Sequence, residues 1–450
     1  MPVISTLQTT AVLLDANFED LLVTTSGAIT AGSGSAPAVD ATADVTHRKI
    51  NIGGTISNDF GTAFKIGATL ANEHNDIVIA SSGFIVAEDA AFEITGTELS
   101  FLNAGTIHSA GEIAIQINAK DSTFVNDGVI TAFRHSAVSL SGTGSVFVNN
   151  GSMTSTNGFL NQPEATVEID FLTAFINNGT VKANNQFNQA IHLAGSSNMG
   201  ATNTGTIVGN IVADGACTVD NRGVILGSIQ MNSTVSSCVI RNSGHITGSI
   251  SASKGADVID LIGGFVGGRV TGAEGNDTYR LDRNDIFLND FGGTDTVEAL
   301  VSYRLSFNIE NLTLLQQGDI SATGNSLDNV LTGNFGDNLI VGRAGSDRLT
   351  GSAGNDILIG GTKTDNQIDI FDFNGGDAAD IVRGFQVRTA NHDVVDLVDF
   401  AIEDDFAAFK ADHLRQAGKS VVLDLDNGDM LTIESVRLAD LKASHFIFDV

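Results

Sequence analysis

Residues 101–155, FLNAGTIHSAGEIAIQINAKDSTFVNDGVITAFRHSAVSLSGTGSVFVNNGSMTS, contain one short pattern three times. Each copy is Phe-x-Asn-x-Gly followed two residues later by Ile or Met, and the copies begin at Phe101, Phe124 and Phe147, 23 residues apart. Alternate side chains of an extended chain lie on the same side. The conserved positions of each copy therefore share one side, and the constant spacing indicates a repeat architecture.

The pattern continues on both sides of this stretch, with eleven glycines at a mean spacing of 23.7 residues. An aliphatic residue or Met stands two residues after every one of these glycines, and an apolar residue stands four before all but the last, where Asp260 breaks the series. Asparagine stands two residues before the glycine in seven successive copies. The pattern glycines are Gly27, Gly54, Gly83, Gly105, Gly128, Gly151, Gly179, Gly205, Gly223, Gly244 and Gly264.

This repetition predicts an all-β chain that begins with a parallel β-solenoid over residues 1–268, with coils of about 24 residues stacked about 4.8 Å apart. Stacked asparagine amides would hydrogen-bond to one another on the inner side. We expect the pattern glycines to adopt a positive φ at a corner of each coil. The handedness is left open, and the alternative is a sandwich of short strands, which rarely keeps one phase over so many turns.

The two cysteines provide a local test of this alignment. Cys217 and Cys238 each precede their pattern glycine by six residues, which predicts that they are neighbours on adjacent coils. Directly opposed positions on parallel strands suit disulfide torsions poorly, so we expect stacked thiols, with an oxidised pair as the alternative. Two cysteines in 450 residues cannot form a disulfide framework, so stability must come from a core, a metal or both.

The charge balance restricts the partners. The chain has 53 acidic and 23 basic residues, a formal charge of −30. Such a chain repels phosphate backbones and anionic lipids, which excludes nucleic acid as an expected partner and favours divalent cations. No run of 18 apolar residues occurs, so we expect no transmembrane segment, and the N-terminal 20 residues lack the basic residue of a cleavable signal peptide.

A second, shorter repeat follows the solenoid pattern. Gly-x-Asp-x-apolar occurs in 254–261, 274–281 and 292–300, and the spacing then becomes strictly nine residues. The five nonads are GNSLDNVLT (324–332), GNFGDNLIV (333–341), GRAGSDRLT (342–350), GSAGNDILI (351–359) and GGTKTDNQI (360–368).

These nonads resemble the RTX (hemolysin-type) calcium-binding repeat, Gly-Gly-x-Gly-x-Asp-x-apolar-x. The resemblance implies an RTX-type spacer over 269–322 and a parallel β-roll over 323–368. In this β-roll the first six residues of each nonad form a turn and the last three a strand. It also implies Ca²⁺ between turns two nonads apart, held by aspartate side chains and glycine carbonyls, which are the oxygen donors that calcium prefers.

The family's pairing, 18 residues apart, assigns the ligands. Asn338 and Asp356 would share one ion, and Asp347 and Asp365 another. Asn329 with Asp347 would form a poorer site. Because several nonad positions depart from the family pattern, we expect two good sites and an array that frays at both ends. The glycines expected around the ions are Gly333, Gly336, Gly342, Gly345, Gly351 and Gly354.

Residues 369–450 resemble the C-terminal region that follows the roll in serralysin-type proteases and other RTX proteins. The resemblance implies a small, mostly β cap and a non-cleaved signal for a type I secretion apparatus at the end of the chain, and hence an extracellular or cell-surface location. One helix is expected at about 404–417, because apolar residues of EDDFAAFKADHLRQ share one face.

Motifs for catalysis are absent from the sequence. There is no HExxH, no Gly-x-Ser-x-Gly on a strand-turn-helix pattern, no Walker loop and no cysteine pair spaced for zinc. Parallel β-helices also host polysaccharide lyases and epimerases, so an enzyme is the second hypothesis. Its best candidates are Lys120 and Asp121 with Arg134 and His135, about half a coil apart.

The sequence thus predicts a secreted calcium-binding protein with a structural or adhesive role, which folds on calcium after export. Calcium and a type I secretion apparatus are the expected partners. Extracellular glycans or cell-surface components are further candidates for the solenoid. The alternative is a polysaccharide-modifying enzyme that carries an RTX secretion module.

Overall fold

The computed structural model of the protein describes residues 2–14, 20–31, 36–42, 48–67, 75–156, 164–171, 174–184, 188–195, 199–234, 236–361, 367–388, 391–400, 405–425 and 428–448. The chain forms two compact units. The solenoid unit comprises Met1–Lys254 and Gly263–Arg269, and the roll unit comprises Gly255–Ile262 and Val270–Val450.

Three parallel sheets form the solenoid unit, and each coil adds one strand to each sheet. The first sheet contains Val3–Ile4, Leu21–Val23, Lys49–Ile52, Asn75–Ile79, Leu99–Asn103, Thr123–Asn126, Val146–Asn149, Ala174–Asn177, Met199–Asn203, Cys217–Asn221 and Val239–Asn242. The second contains Leu7–Gln8, Ala28–Ala31, Thr55–Asn58, Phe84–Ala87, Thr106–Ser109, Val129–Ala132, Ser152–Ser155, Thr180–Lys182, Thr206–Val208, Val224–Leu226, His245–Ile246 and Phe265–Val266. The third contains Val12–Leu13, Val39–Ala41, Phe64–Ile66, Phe92–Thr97, Ile115–Lys120, Val138–Ser141, Val167–Phe171, Gln189–Leu193, Asn210–Ala213, Ile229–Met231 and Ile250–Ser251.

The first sheet carries the repeat pattern on its inner side. Phe101, Phe124, Phe147 and Phe175 pair in register on successive strands, and their ring centroids lie 6.1, 6.3 and 5.9 Å apart. The asparagines two positions along form a continuous amide ladder in which each Nδ2 donates to the Oδ1 of the next residue at 2.7 Å. The ladder consists of Asn103, Asn126, Asn149, Asn177, Asn203, Asn221 and Asn242. Buried amides are thereby satisfied, as burial of polar groups requires.

The role predicted for the pattern glycines was wrong in one respect. The glycines with a positive φ among the described residues do not include any pattern glycine. These positions require glycine because adjacent coils approach closely. A Cβ on Gly151 would lie 2.0 Å from the carbonyl oxygen of Gly128, and one on Gly128 would lie 2.1 Å from that of Gly105.

Gly151→Ala is accordingly expected to destabilise the solenoid unit by about 1–3 kcal/mol, the usual cost of overpacking. Gly53→Ala is the matched control, because its added Cβ would meet no atom closer than 3.4 Å. Urea denaturation followed by circular dichroism compares the two variants. Equal stability of both would show that the close approach is not limiting.

The two cysteines are neighbours on adjacent coils, as the alignment predicted. Thr218 pairs with Val239, and the sulfur atoms of the preceding Cys217 and Cys238 lie 3.4 Å apart in the core. Both are thiols rather than a disulfide. The phase of the repeat is therefore correct in this part of the chain.

Two sheets form the roll unit. The first is parallel and contains Val258–Asp260, Thr278–Leu281, Thr296–Ala299, Asn311–Leu314, Val330–Thr332, Arg348–Thr350, Ile370–Asp372, Val394–Asp396 and Phe446–Ile447. The second contains Tyr303–Arg304, Ser321–Thr323, Leu339–Val341, Ile357–Ile359, Ala379–Arg383, Met430–Ile433, Ser420–Asp424 and Leu414–Ala417, of which the last two pair antiparallel. The strand Val270–Thr271 and the 3-10 helices Leu438–Asp440 and Ala443–His445 complete the described elements.

The predicted fold class is confirmed: a parallel β-solenoid, a parallel β-roll and a mostly β C-terminal region with one α-helix among the described residues. The helix, Phe406–His413, is shorter than predicted. The helical pattern stops at His413 because the next residues, Leu414–Ala417, pair with Ser420–Asp424 in a hairpin. Asp405 caps the helix by accepting a hydrogen bond from the Ala407 N–H at 2.9 Å.

Candidate metal centre

Each of the first four nonads folds as a turn followed by a short strand, as predicted. The strands are Val330–Thr332, Leu339–Val341, Arg348–Thr350 and Ile357–Ile359. They alternate between the two sheets of the roll, so residues 18 apart pair on the same sheet. The sixth residue of each nonad comes directly before its strand, which places successive sixth residues in two rows, one along each sheet.

The row along the first sheet contains Asn329, Asp347, Asp369 and Asp393. The backbone N–H of Asn329 donates to Oδ1 of Asp347 at 2.8 Å, and that of Asp347 donates to Oδ1 of Asp369 at 3.0 Å. Asp369 continues the row to Oδ1 of Asp393 at 3.2 Å. One contact therefore repeats on every coil, with each side chain holding the backbone of the coil before it.

The row along the second sheet contains Asn338, Asp356 and Asp380. The N–H of Asn338 donates to Oδ1 of Asp356 at 2.6 Å, and the N–H of Asp356 donates to Oδ1 of Asp380 at 2.8 Å. All three side chains are buried, with Asp356 fully inaccessible. The Oδ2 atoms of Asp356 and Asp380 are also buried and receive no hydrogen bond.

The glycines that open the nonads leave room beside these oxygens. A Cβ on Gly351 would lie 2.4 Å from Oδ2 of Asp356, and one on Gly342 would lie 2.2 Å from Oδ2 of Asp347. Gly333 stands in the same relation to Asn338, whose Oδ1 is 2.4 Å from such a Cβ. The first position of the nonad is therefore glycine because a side chain would fill the space next to the carboxylate.

The glycines in the fourth position make the turns tight. Gly345 and Gly354 have φ values of 109° and 126°, which favour glycine. A Cβ on Gly336, Gly345 or Gly354 would lie 2.2–2.6 Å from a carbonyl oxygen of the turn 18 residues earlier. The carbonyls of stacked turns thus lie close to the carboxylate rows.

The residue donors present fit calcium. All are oxygens of carboxylates, amides and backbone carbonyls, which are the ligands of a hard cation. A buried carboxylate oxygen without a donor is costly, and at Asp356 and Asp380 a cation can compensate that cost. Asp347, Asp356 and Asp380, with the adjacent glycine carbonyls, are the groups that would hold the ions.

The asparagines of the two rows are engaged within their own turns. Asn338 Oδ1 accepts from the Asn334 N–H at 2.7 Å, and its amide donates to the carbonyl of Ile320 at 3.0 Å. Asn329 is held in the same way, with Oδ1 accepting from the Asn325 N–H at 2.8 Å. These two positions close the turn without charge.

Asp365 lies outside the described residues. The position in register with Asp347 is occupied by Asp369, 22 residues later, because the strand of this coil is Ile370–Asp372. The fifth nonad is thus four residues longer than a regular repeat at this point. The pattern Asp-x-apolar, which places a buried apolar residue two positions after each row aspartate, also fits Asp369 and Phe371 and could have identified the position.

Carboxylates beyond the nonads extend the rows, contrary to the expected fraying at both ends. Asp380 and Asp393 continue them after the nonads. Before the nonads, the N–H of Asp257 donates to Oδ1 of Asp277 at 2.7 Å, and that of Asp277 donates to Oδ1 of Asp295 at 2.8 Å. The Gly-x-Asp motifs of 254–300 signalled these residues, but their irregular spacing hid the register.

Burial raises the pKa of these carboxyl groups. The pKa of Asp356 is raised to about 7 and that of Asp380 to about 8, mainly because the ionised forms lose hydration. Neighbouring aspartates raise them further. Protons therefore compete with calcium for these oxygens near neutral pH.

In chelator, the roll unit is expected to lose stability as the pH rises from 4 to 8. An aspartate in the unfolded chain has a pKa of about 3.9. Because the folded-state pKa values of Asp356 and Asp380 are higher, stability is fully present below pH 4 and is lost as the pH rises through about 7 and 8. Circular dichroism in chelator at pH 5 and pH 8 measures this effect. More β-structure at pH 8 would contradict it, whereas with calcium present the trend should reverse.

The enzyme candidates of the solenoid unit do not come together. Lys120 and Asp121 lie at the end of the third-sheet strand Ile115–Lys120, whereas His135 precedes the strand Val138–Ser141, whose first residue pairs with Ile115. The two groups thus lie at opposite edges of the third sheet.

His135 instead lines a groove of about 480 Å³ with Glu164, Glu168 and His192. Nδ1 of His135 lies 2.8 Å from Glu164, and Nδ1 of His192 lies 2.5 Å from Glu168. The hydrogen bond to Glu168 raises the pKa of His192 to about 9, and the contact of Nε2 with Asp214 at 2.9 Å contributes. Sequence reasoning missed this group because its members are 4 to 29 residues apart without a motif.

Comparison with known proteins agrees with the roll geometry. The RTX calcium-binding nonapeptide repeat family matches residues 323–362, in four copies. The protein carries RTX calcium-binding repeats. No curated protein sequence matches the chain. Among solved structures, the extracellular lipase LipA from Serratia marcescens matches 52% of this chain and 45% of its own, at 15% identity and a TM-score of 0.17.

The RTX repeats bind calcium, and the buried rows of aspartates lie within and beside them. In the part of the chain that the structure describes, no helix is long and apolar enough to span a membrane.

Proposed function

We propose that the protein is an extracellular structural or adhesive protein whose roll unit folds on calcium after export. The observation that best supports this is the buried row that contains Asp356 and Asp380, whose Oδ2 atoms receive no hydrogen bond. A compact state with uncompensated carboxylates is disfavoured until a cation arrives. Metal that binds only the folded roll then adds its binding free energy to folding.

The solenoid unit is the proposed contact surface. Its order rests on the phenylalanine and asparagine ladders, which contain no charge. Residues 1–250 have only 8 basic residues against 20 acidic ones. An anionic glycan or a neighbouring molecule would therefore be held through calcium bridges rather than through basic side chains.

A binding screen against extracellular glycans, in calcium and in chelator, tests this proposal. Binding to an acidic polysaccharide should disappear in chelator and survive the double substitution Lys120→Ala and Arg134→Ala. Binding that persists in chelator but is lost in the double variant would overturn the calcium-bridge proposal.

The proposed route of export is a type I apparatus that reads the end of the chain. Deleting about 50 C-terminal residues should abolish secretion, while deleting residues 1–20 should not. Normal extracellular accumulation of the C-terminal deletion variant would contradict this route.

A polysaccharide lyase or epimerase is the second candidate, and the groove that contains His135 and His192 favours it. Histidines paired with carboxylates are suited to proton transfer. A cleavage assay on the same glycans, with the wild type and with His135→Gln and His192→Gln, tests this candidate. Activity that both substitutions abolish would replace the adhesive proposal, and absence of activity from the wild type would remove the enzyme.

A further inference from the structure

We infer that Asp277, Asp290 and Asp295 form a separate divalent-cation site, which takes calcium. It lies in the segment between the solenoid pattern and the first nonad, outside the residues that match the RTX repeat. The site does not use the carboxylates on which the proposed function rests, so either can fail without the other.

The three carboxylates converge in the interior. One oxygen from each lies within 4.8 Å of the other two, and the residues are 1%, 1% and 0% exposed. Within the described part of the chain, no lysine or arginine forms an ion pair with any of them. Three acidic groups at such distances need a counter-charge if they are to be ionised together.

Two of the carboxylates each have one oxygen satisfied and one without a donor. Oδ1 of Asp277 accepts from the Asp257 N–H at 2.7 Å, and Oδ1 of Asp295 accepts from the Asp277 N–H at 2.8 Å. Their Oδ2 atoms are buried and receive no hydrogen bond. Because buried polar atoms are nearly always partnered, these two oxygens indicate a missing cation.

Gly272 and Tyr279 complete the surroundings of the site. A Cβ on Gly272 would lie 1.9 Å from Oδ2 of Asp277 and 2.7 Å from Oδ2 of Asp290, so glycine leaves space between these oxygens. The Tyr279 hydroxyl donates to Oδ2 of Asp290. The nearby donors are thus all oxygens, which favours calcium over metals that prefer nitrogen or sulfur.

Tyrosine-sensitised terbium luminescence tests the site, because the chain has two tyrosines and no tryptophan. Terbium, a luminescent substitute for calcium, should emit on tyrosine excitation of the wild type and lose the emission as calcium is added. We expect Tyr303→Phe to keep most of the emission and Tyr279→Phe to lose most of it.

A variant with Asp277→Asn and Asp295→Asn should lose the emission as well. Asp285→Asn is the matched control, since Asp285 is exposed and pairs with Arg283, and it should emit as the wild type does. Wild-type protein that folds on terbium without emission, or emission that is unchanged in Tyr279→Phe or in the double variant, would overturn the site. Calcium-induced folding, read separately by circular dichroism, reports on the nonads. Even if the double variant does not fold, the wild type and the two tyrosine variants still decide the question.

Discussion

Asp356→Ala is expected to raise the calcium concentration at the folding midpoint of the roll unit by roughly tenfold or more. A hydrogen bond to a charged group is worth about 1.5–3 kcal/mol, and 1.4 kcal/mol is tenfold. Asp356 is fully buried, accepts from the Asn338 N–H at 2.6 Å and has an Oδ2 without a donor. The substitution therefore removes both a link between coils and an ion ligand. A calcium titration of the full chain, followed by circular dichroism, gives the midpoint.

Asp337→Ala is the control for this experiment. Asp337 belongs to the same stack of turns and accepts from the Asn355 N–H at 2.8 Å, but its side chain is exposed. Its loss should move the midpoint much less, whereas Asp347→Ala should act like Asp356→Ala. Equal shifts for Asp337→Ala and Asp356→Ala would show that the buried rows do not bind the ions.

Phe147→Ala is expected to destabilise the solenoid unit by about 3–5 kcal/mol, as truncations of buried aromatic residues do. Phe147 is 1% exposed and lies between the rings of Phe124 and Phe175, at 6.3 and 5.9 Å. The alanine would leave a cavity that rigid neighbouring coils cannot close. Urea denaturation of the full chain in chelator, where we expect only the solenoid unit to be folded, measures the loss.

The matched control is Phe133→Ala, on the same coil but 51% exposed. A surface substitution of this kind should cost no more than about 0.5 kcal/mol. If Phe147→Ala were no more costly than Phe133→Ala, the phenylalanine ladder would not be part of the solenoid's stability.

The solenoid could be predicted because its physical requirement is periodic. Each coil must put the same side chain over its neighbour, so Phe147 stacks on Phe124 and Asn149 on Asn126, and the spacing in the sequence shows both. The cause of the glycine at Gly151 could not be predicted. Either a positive φ or a close approach requires glycine, and only the contact with the coil before distinguishes them.

The calcium sites were predictable where the repeat is strict and less so elsewhere. The turns that end at Asn338, Asp347 and Asp356 follow from the nine-residue spacing. The replacement of the expected Asp365 position by Asp369 depends on four extra residues in one coil, which change no local motif. Asp290 reaches Asp277 and Asp295 from a loop without a repeat, so only the folded chain brings them together.

The central claim is that calcium controls the folding of the roll unit and not that of the solenoid unit. Hydrogen exchange of the full chain, measured by mass spectrometry in chelator and in millimolar calcium, tests it for both units at once. We predict that peptides from 270–450 exchange rapidly in chelator and become protected in calcium, while peptides from 75–250 are protected in both. Equal protection of 270–450 in chelator and calcium would contradict the account.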